Sequence, residues 1–477
     1  MSNRDAFRIT RRQMLASTAA ALGSAAVGSL GFPRLAHADL PLPAGRAFLF
    51  CYFPGAWDQL LLLDPRDPAV FTPARINDTL IDPRYGTLDG VNGLGSQLVR
   101  PALGGPIVFG PGMQRVAPGA DRFRISDYAH RMTVVRGLDM AALGHEVGYR
   151  YFLTATYPAG TAARGTSIAT EIVAQMAPRR LVPNLAFQVE SYNDRYPGSV
   201  SAMQLQGIDD LLLVLSAPTV GEDPDIERAI EDRGQLVGPC DMESYNRRGL
   251  YDAMRGTRAA ANEVVRNRVA SQFDFVTADT PGAASIRGHY GIRQGVSDSP
   301  AVRAAIAAQS IKVGLSQVVS VRIGDVCDTH YVGNAPHMNI VYPGLEALAA
   351  LLADLDGSTH PDGGSFLDHT TLLVFSEFSR AALFNSFNGR DHHFAGSCML
   401  IGAGIRGNTV VGATSDLGMA PQRWDPSFVP AHPGDLGGLQ GSNVEVLKPE
   451  HIAATLLASA GLDTSRYQER PLRAALA

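Results

Sequence analysis

The chain has 477 residues, 45% of them hydrophobic and 18% charged, a balance that excludes bulk disorder and is ample for a large buried core. The net charge is −5 and lysine occurs only at Lys312 and Lys448, so the basic footprint of a nucleic-acid-binding protein is missing and no nucleic-acid partner is expected.

The first 38 residues read as an export signal. Arg4 and Arg8 precede the pair Arg11-Arg12, an Ala/Gly/Ser-rich stretch runs from Leu15 to Leu30, and Ala36-His37-Ala38 sets small residues on either side of a bulkier one, as a signal peptidase requires. The stretch is glycine-rich and short of the ~20 strongly apolar residues of a membrane span. Thr10-Arg11-Arg12-Gln13-Met14-Leu15 resembles a twin-arginine signal, with Met14 where phenylalanine is more usual. The resemblance implies a periplasmic or secreted protein, exported already folded. Cleavage removes five arginines and one aspartate and takes the net charge from −5 to −9. No later segment reads as a membrane span, so residues 39–477 are expected to form a single domain without one.

Ala47 to Phe53 is a continuous apolar run closed by Pro54-Gly55, the pattern of a strand buried on both faces. Met132 to Val135, Val318 to Gly324 and Thr370 to Phe375 repeat it. Apolar residues at helical spacing run from Ala301 to Gln317, from Gly344 to Leu355 and from Ile452 to Ala460. Helices alternating with buried strands predict an α/β fold with a mostly parallel sheet between helical layers. Gly86 to Pro118 is rich in glycine and proline and reads as a surface excursion. Residues around 222–267 are charged and predict a helical insertion. The spacing of Cys51, Cys240, Cys327 and Cys398 fits no zinc motif; buried free thiols are expected, with disulfides the alternative.

Ligands of open α/β sheets sit beyond the carboxyl ends of the strands. There the chain carries Asp58 after the first strand, Asp328 and His330 (with His337 further on) after the third, and Glu377 and Arg380 after the fourth. Gly389-Arg390-Asp391-His392-His393 follows. Asp328 and His330 are two apart, so extended chain turns both to one side. Carboxylates and imidazoles converging there would suit a divalent cation, which neutralises charges that are costly to bury unpaired. Singly, each has a plainer reading. Glu377 and Arg380 could form an ion pair, His392 and His393 a surface pair, and Asp58 a cap.

Ser376-Glu377-Phe378-Ser379-Arg380, Asn385, Gly389 to His393 and Leu400 to Gly407 together resemble the signature of the DUF1501 family. So do Cys327-Asp328-Thr329-His330 and Gly55-Ala56-Trp57-Asp58. This family is grouped with the alkaline-phosphatase-like superfamily, which includes sulfatases. The resemblance implies a three-layer α/β/α sandwich holding one or two divalent metal ions (zinc, manganese, calcium or iron). Asp58, Asp328, His330, Glu377 and His392 are the implied ligands, with Asp391 and His393 as neighbours that could substitute. It implies a metal-dependent hydrolase acting on a small anionic ester, of phosphate or sulfate, with Arg380 or Arg390 holding anionic oxygens. A non-catalytic, metal-stabilised binding or envelope-assembly protein on the same scaffold is the alternative. Two departures stand out. Glu377-Phe378 occupies the place of the usual Asp-His. The segment Gly137 to Gly148 lacks the usual hydroxyl or thiol nucleophile, leaving His145 as its most nucleophile-like group, with a further ligand or a structural histidine as the other readings. Thr166 and Ser167 read as helix caps.

Overall fold

The computed structural model describes residues 45–114, 124–176, 180–216, 269–432 and 434–477. The expected leader, Cys240 and the expected insertion around 222–267 lie outside the described residues. The strands that matter for the site are β1 (Ala47–Tyr52), β2 (Met132–Asp139), β3 (Asn184–Phe187), β4 (Met203–Leu205), β5 (Val318–Arg322), β6 (Thr370–Phe375), β7 (Ser379–Arg380), β8 (His392–His393), β9 (Ala395–Gly402) and β10 (Thr409–Val411). Besides a single helical turn at Ile76–Thr79, the helices are α1 (His145–Thr154), α2 (Ile168–Gln175), α3 (Ile208–Leu215), α4 (Pro281–Tyr290), α5 (Pro300–Lys312), α6 (Asn334–Gly357) and α7 (Pro449–Ser459) among the described residues.

Eight strands form one sheet in the order β10-β2-β9-β6-β1-β5-β3-β4. Every residue of β1 is buried, between parallel partners β5 and β6. Leu49, Cys51 and Phe53 point into one core with Ile306 of α5 and Leu348 and Leu352 of α6. Phe48, Phe50 and Tyr52 point into a second core with Phe152 of α1, Ile172 of α2 and Leu456 of α7. Helices therefore cover both faces of the sheet, which is why β1 reads as an unbroken apolar run rather than an alternating one.

Three elements differ from the sequence reading. β9 runs antiparallel to both β6 and β2. The chain between β6 and β9 folds into the short β7–β8 ribbon, so no crossover helix is available to bring β9 in parallel. α6 begins at Asn334 and passes through Pro343, although a proline commonly marks a helix boundary. This helix is also long and apolar enough to cross a membrane, contrary to the expectation that no such segment follows the leader; it is mostly buried within the protein, against α5 and the sheet. α5 opens at Pro300, with the Ser299 hydroxyl accepting from Val302 N–H, and ends at Lys312 rather than running on to Gln317.

Cys51, Cys327 and Cys398 are free and buried. Burial pushes the Cys51 thiol up to about 12, out of the reactive range.

The loop after β1 lies directly on the loop after β5. Gly55 makes this approach possible: it has φ +98°, and a Cβ there would stand 2.4 Å from Cys327 N and 2.7 Å from Asp328 N. Positive φ and lack of space each disfavour any side chain. Gly55→Ala is expected to lower stability by about 2 kcal/mol or more, measured as a shift in the urea midpoint, whereas Gly45→Ala, with open space around it, is expected to cost less.

Candidate metal centre

Asp328 lies at the middle of a cluster built from four chain segments. It follows β5, next to His330. His145 is the first residue of α1, reached from β2. Arg380 and His392 stand opposite each other in the β7–β8 register, so both side chains turn to the same carboxylate. Arg380 Nη2 donates to Asp328 Oδ1 at 2.6 Å. Around that carboxylate stand His330 Nε2, 3.0 Å from Oδ1, His392 Nε2, 3.3 Å from Oδ1, and His145 Nε2, 3.3 Å from Oδ2. His330 Nε2 and His392 Nε2 are 2.8 Å apart. His145, Asp328 and His392 each bring a ligand atom within 4.8 Å of the others.

The protonation of the rings follows from their outer partners. His145 Nδ1 lies 2.6 Å from Glu377 Oε1, His330 Nδ1 lies 3.0 Å from Asp391 Oδ1, and His392 Nδ1 lies 2.6 Å from the Leu143 carbonyl. A carboxylate or carbonyl oxygen can only accept, so each Nδ1 carries a proton, and each ring in its neutral form turns a bare Nε2 lone pair inward. His145 Nε2 is buried without a hydrogen-bond partner. Lone pairs facing one another and a carboxylate repel unless a proton or a cation sits among them. Donor atoms around a tetrahedral zinc stand about 3.3 Å apart, close to these separations. The residues therefore fit a divalent cation, with Glu377, Asp391 and Leu143 as the outer partners that orient the imidazoles.

Two other clusters lack this property. In Glu445–His451–Glu469 and in His360–Asp362–His369, the Nδ1 atoms of His451 and His360 accept backbone N–H groups from Lys448 and Asp362, each at 3.1 Å. Their neutral rings must then carry the proton on Nε2, leaving those two rings no free lone pair for a metal; His369, whose Nε2 faces the Gly363 carbonyl at 2.8 Å, is then the single imidazole of these two clusters with a bare nitrogen.

Most of the expected site residues fall into two sets. Asp328, His330, His392 and His145 meet at the centre. Glu377 and Asp391 belong to the surrounding layer. The Glu377 carboxylate is buried and accepts from Gly55 N–H at 2.8 Å and from the Ser376 hydroxyl at 3.0 Å, besides His145. Asp58 stands apart. It pairs with Arg390 Nε at 3.0 Å, both side chains buried, beside a small cavity of about 10 Å³ that His337 and Arg380 also line. A buried carboxylate left unpaired costs several kcal/mol; here a guanidinium neutralises it. His393 points away, its Nδ1 accepting from Ala395 N–H.

Arg380 is almost fully enclosed, at 1% side-chain exposure. Besides Asp328 it donates to the carbonyls of Ala56, Gly55, Cys327 and Arg390. Arg390 donates to the carbonyls of Ala381 and Asp82. Neither guanidinium faces the open side, so neither is free to grip a substrate oxygen. Thr166 bonds to Asp194, and Ser167, at the start of α2, accepts from Tyr192 N–H rather than capping its helix.

Charge tuning agrees with this layout at Asp328 and His392, while at His145 a proton competes with a cation. Burial alone would raise the Asp328 pKa, but the bond and charge of Arg380 and the His392 contact outweigh it and hold the carboxyl well below the usual range. Burial would lower the His145 pKa, yet the Glu377 bond and charge, with Asp328, leave it raised. Burial also lowers His392, keeping that ring neutral. The Leu143 carbonyl was not legible in sequence, because a main-chain atom has no residue signature, and the buried His337, noted after the third strand, had no role assigned to it. That ring accepts Asp58 N–H at 3.1 Å and meets Thr329 Oγ1 at 2.6 Å, clipping the β1 and β5 loops together.

The site so described coincides with a family match. Residues 229–429 match the family model described as protein of unknown function (DUF1501). That span contains Asp328, His330, Glu377, Arg380, Asp391 and His392, while Asp58 and His145 lie outside it. Neither a curated protein nor a solved structure matches the chain.

Burial lowers the His337 pKa to about 3, so the folded protein keeps this ring neutral. As pH falls below about 6.5 the unfolded chain takes up a proton that the folded one refuses. The stabilisation is therefore whole above that pH and is lost at about 1.4 kcal/mol per unit on the way down to pH 3. Urea midpoints between pH 7.5 and 4.5 are expected to fall more steeply for the wild type than for His337→Gln.

Proposed function

We propose that the chain is an exported metal-dependent hydrolase built on an alkaline-phosphatase-like α/β/α sandwich. It holds one divalent cation through His145, His330, His392 and Asp328. The observation that carries this reading is the inward convergence of three bare Nε2 lone pairs on one carboxylate. Three imidazoles with one carboxylate suit zinc, manganese or iron, and argue against calcium, which takes oxygen ligands. One cation rather than two is supported by the Asp58–Arg390 pair, where a guanidinium already supplies the positive charge a second ion would bring. His145 compensates for Phe378, supplying from α1 an imidazole that the residue after Glu377 does not.

A bound divalent cation would polarise a substrate oxygen and lower the pKa of a water. The protein side of the chemistry is orientation. Glu377 fixes His145, Asp391 fixes His330, and Arg380 holds Asp328 ionised and in place. No hydroxyl or thiol of the expected segments is free beside the cluster. Cys327 Sγ donates to the Pro54 carbonyl, Ser376 is bonded to Glu377 and Ser379 to Trp57 O. Water is therefore the proposed nucleophile. The enclosure of Arg380 and Arg390 gives a phosphate or sulfate ester no guanidinium clamp, so any such ester would be held by the cation alone. The same observation favours the second reading, a metal-stabilised binding or envelope-assembly protein with no turnover.

Metal analysis by plasma mass spectrometry of the exported protein, with a panel of phosphate, sulfate and carboxylic esters, separates the readings. About one equivalent of transition metal is expected in the wild type and almost none in Asp328→Ala. Turnover that disappears with the metal supports the hydrolase. Metal and a raised melting temperature without turnover support the binding protein, and equal metal content in wild type and mutant refutes both. Glu377→Gln and Asp391→Asn, which keep their shapes, are expected to weaken metal affinity by about 10–100-fold rather than abolish it, as read by competition with a chromogenic chelator.

A further inference from the structure

The two loops that flank the centre each display an aromatic ring to solvent. Tyr331 follows His330 directly and is 72% exposed; Phe387, in the turn leading to Asp391, is 64% exposed. Their rings meet edge to face at 5.3 Å, and the Tyr331 ring lies 6.1 Å from that of His330. Isolated exposed apolar residues need no explanation, but a paired set beside a site does. The pair is also firmly mounted. Asn385 donates to the His330 carbonyl at 2.9 Å and to Asp391 at 3.0 Å. Phe387 N–H and Gly389 N–H both bond to Asn385 Oδ1 at 3.0 Å. Gly389 lies so close that a Cβ would stand 2.0 Å from the His330 carbonyl oxygen. The aromatic pair and the imidazole of His330 thus belong to one clamped unit.

Charge points the same way. Asp328, Glu377 and Asp391 are three carboxylates; Arg380 and a divalent cation would cancel them, and Asp58 and Arg390 cancel each other. The loaded centre would carry no surplus positive charge to attract a strongly anionic ligand. We propose that Tyr331 and Phe387 form a platform for an aromatic or similarly flat apolar group of a small ligand whose oxygen head group engages the metal centre. Planar groups stack on such rings with a fixed geometry, so the platform would select ligands by the group attached to the head. This rests on the metal-centre reading above.

The test uses binding, not turnover. The exported, metal-containing protein is titrated calorimetrically with benzohydroxamate and acetohydroxamate, two metal-binding probes with the same head group. Benzohydroxamate is expected to bind at least tenfold more tightly. The double variant Tyr331→Ser, Phe387→Ser is expected to bring the ratio near one while acetohydroxamate affinity, metal content and melting temperature stay as in the wild type. Equal affinities in the wild type, or a preference that survives in the double variant, overturn the platform and leave the metal centre standing. Protein that carries no metal and binds neither probe overturns the metal-centre reading itself.

Discussion

The ion pair between Arg380 and Asp328 holds the strand ends together. One guanidinium reaches the carbonyls of the β1 and β5 loops and the Arg390 carbonyl, and it keeps Asp328 ionised. In a site with three imidazoles and two further carboxylates, an acid left free to protonate or swing away would remove the point on which the rings converge. A buried guanidinium is permanently charged, and its planar fork fixes direction as well as charge. Arg380 thus acts through Asp328 as a positioning residue.

The proton positions on the rings then separate a candidate metal centre from a chance gathering of polar side chains. Clusters of histidine and acid occur at three places among the described residues. In two of them a backbone N–H occupies the histidine nitrogen that would have to remain bare. At the strand ends the outer nitrogens face Glu377, Asp391 and the Leu143 carbonyl, and the inner ones are left without donors. Geometry alone would rank the clusters together; the direction of each hydrogen bond separates them.

Much of the fold was legible because its strands are buried on both faces. β1, β2, β5 and β6 announce themselves as unbroken apolar runs, and α5 through the Ser299-Pro300 start. β9 was not, because Ala395 to Gly402 opens on Ala395-Gly396-Ser397 before its short apolar run and nothing local records whether a strand runs parallel or antiparallel. Asp328, His330 and His392 were legible as chelating types placed after strands. His145 was noted first for want of a hydroxyl near it, with a ligand role as one alternative. The division of labour was hidden, since a carboxylate that binds a cation and one that orients a histidine look identical in sequence. Glu377 and Asp391 are of the second kind, and the pairing of Asp58 with Arg390 spans more than 300 residues of chain.

The central claim is that these imidazoles and Asp328 share one cation. X-ray absorption at the metal edge of the protein tests it most directly. The account predicts a first shell of nitrogen and oxygen only, with outer-shell scattering from three imidazoles that falls to two in His145→Ala. A first shell containing sulfur, one with no imidazole scattering, or a spectrum that His145→Ala leaves unchanged would contradict it.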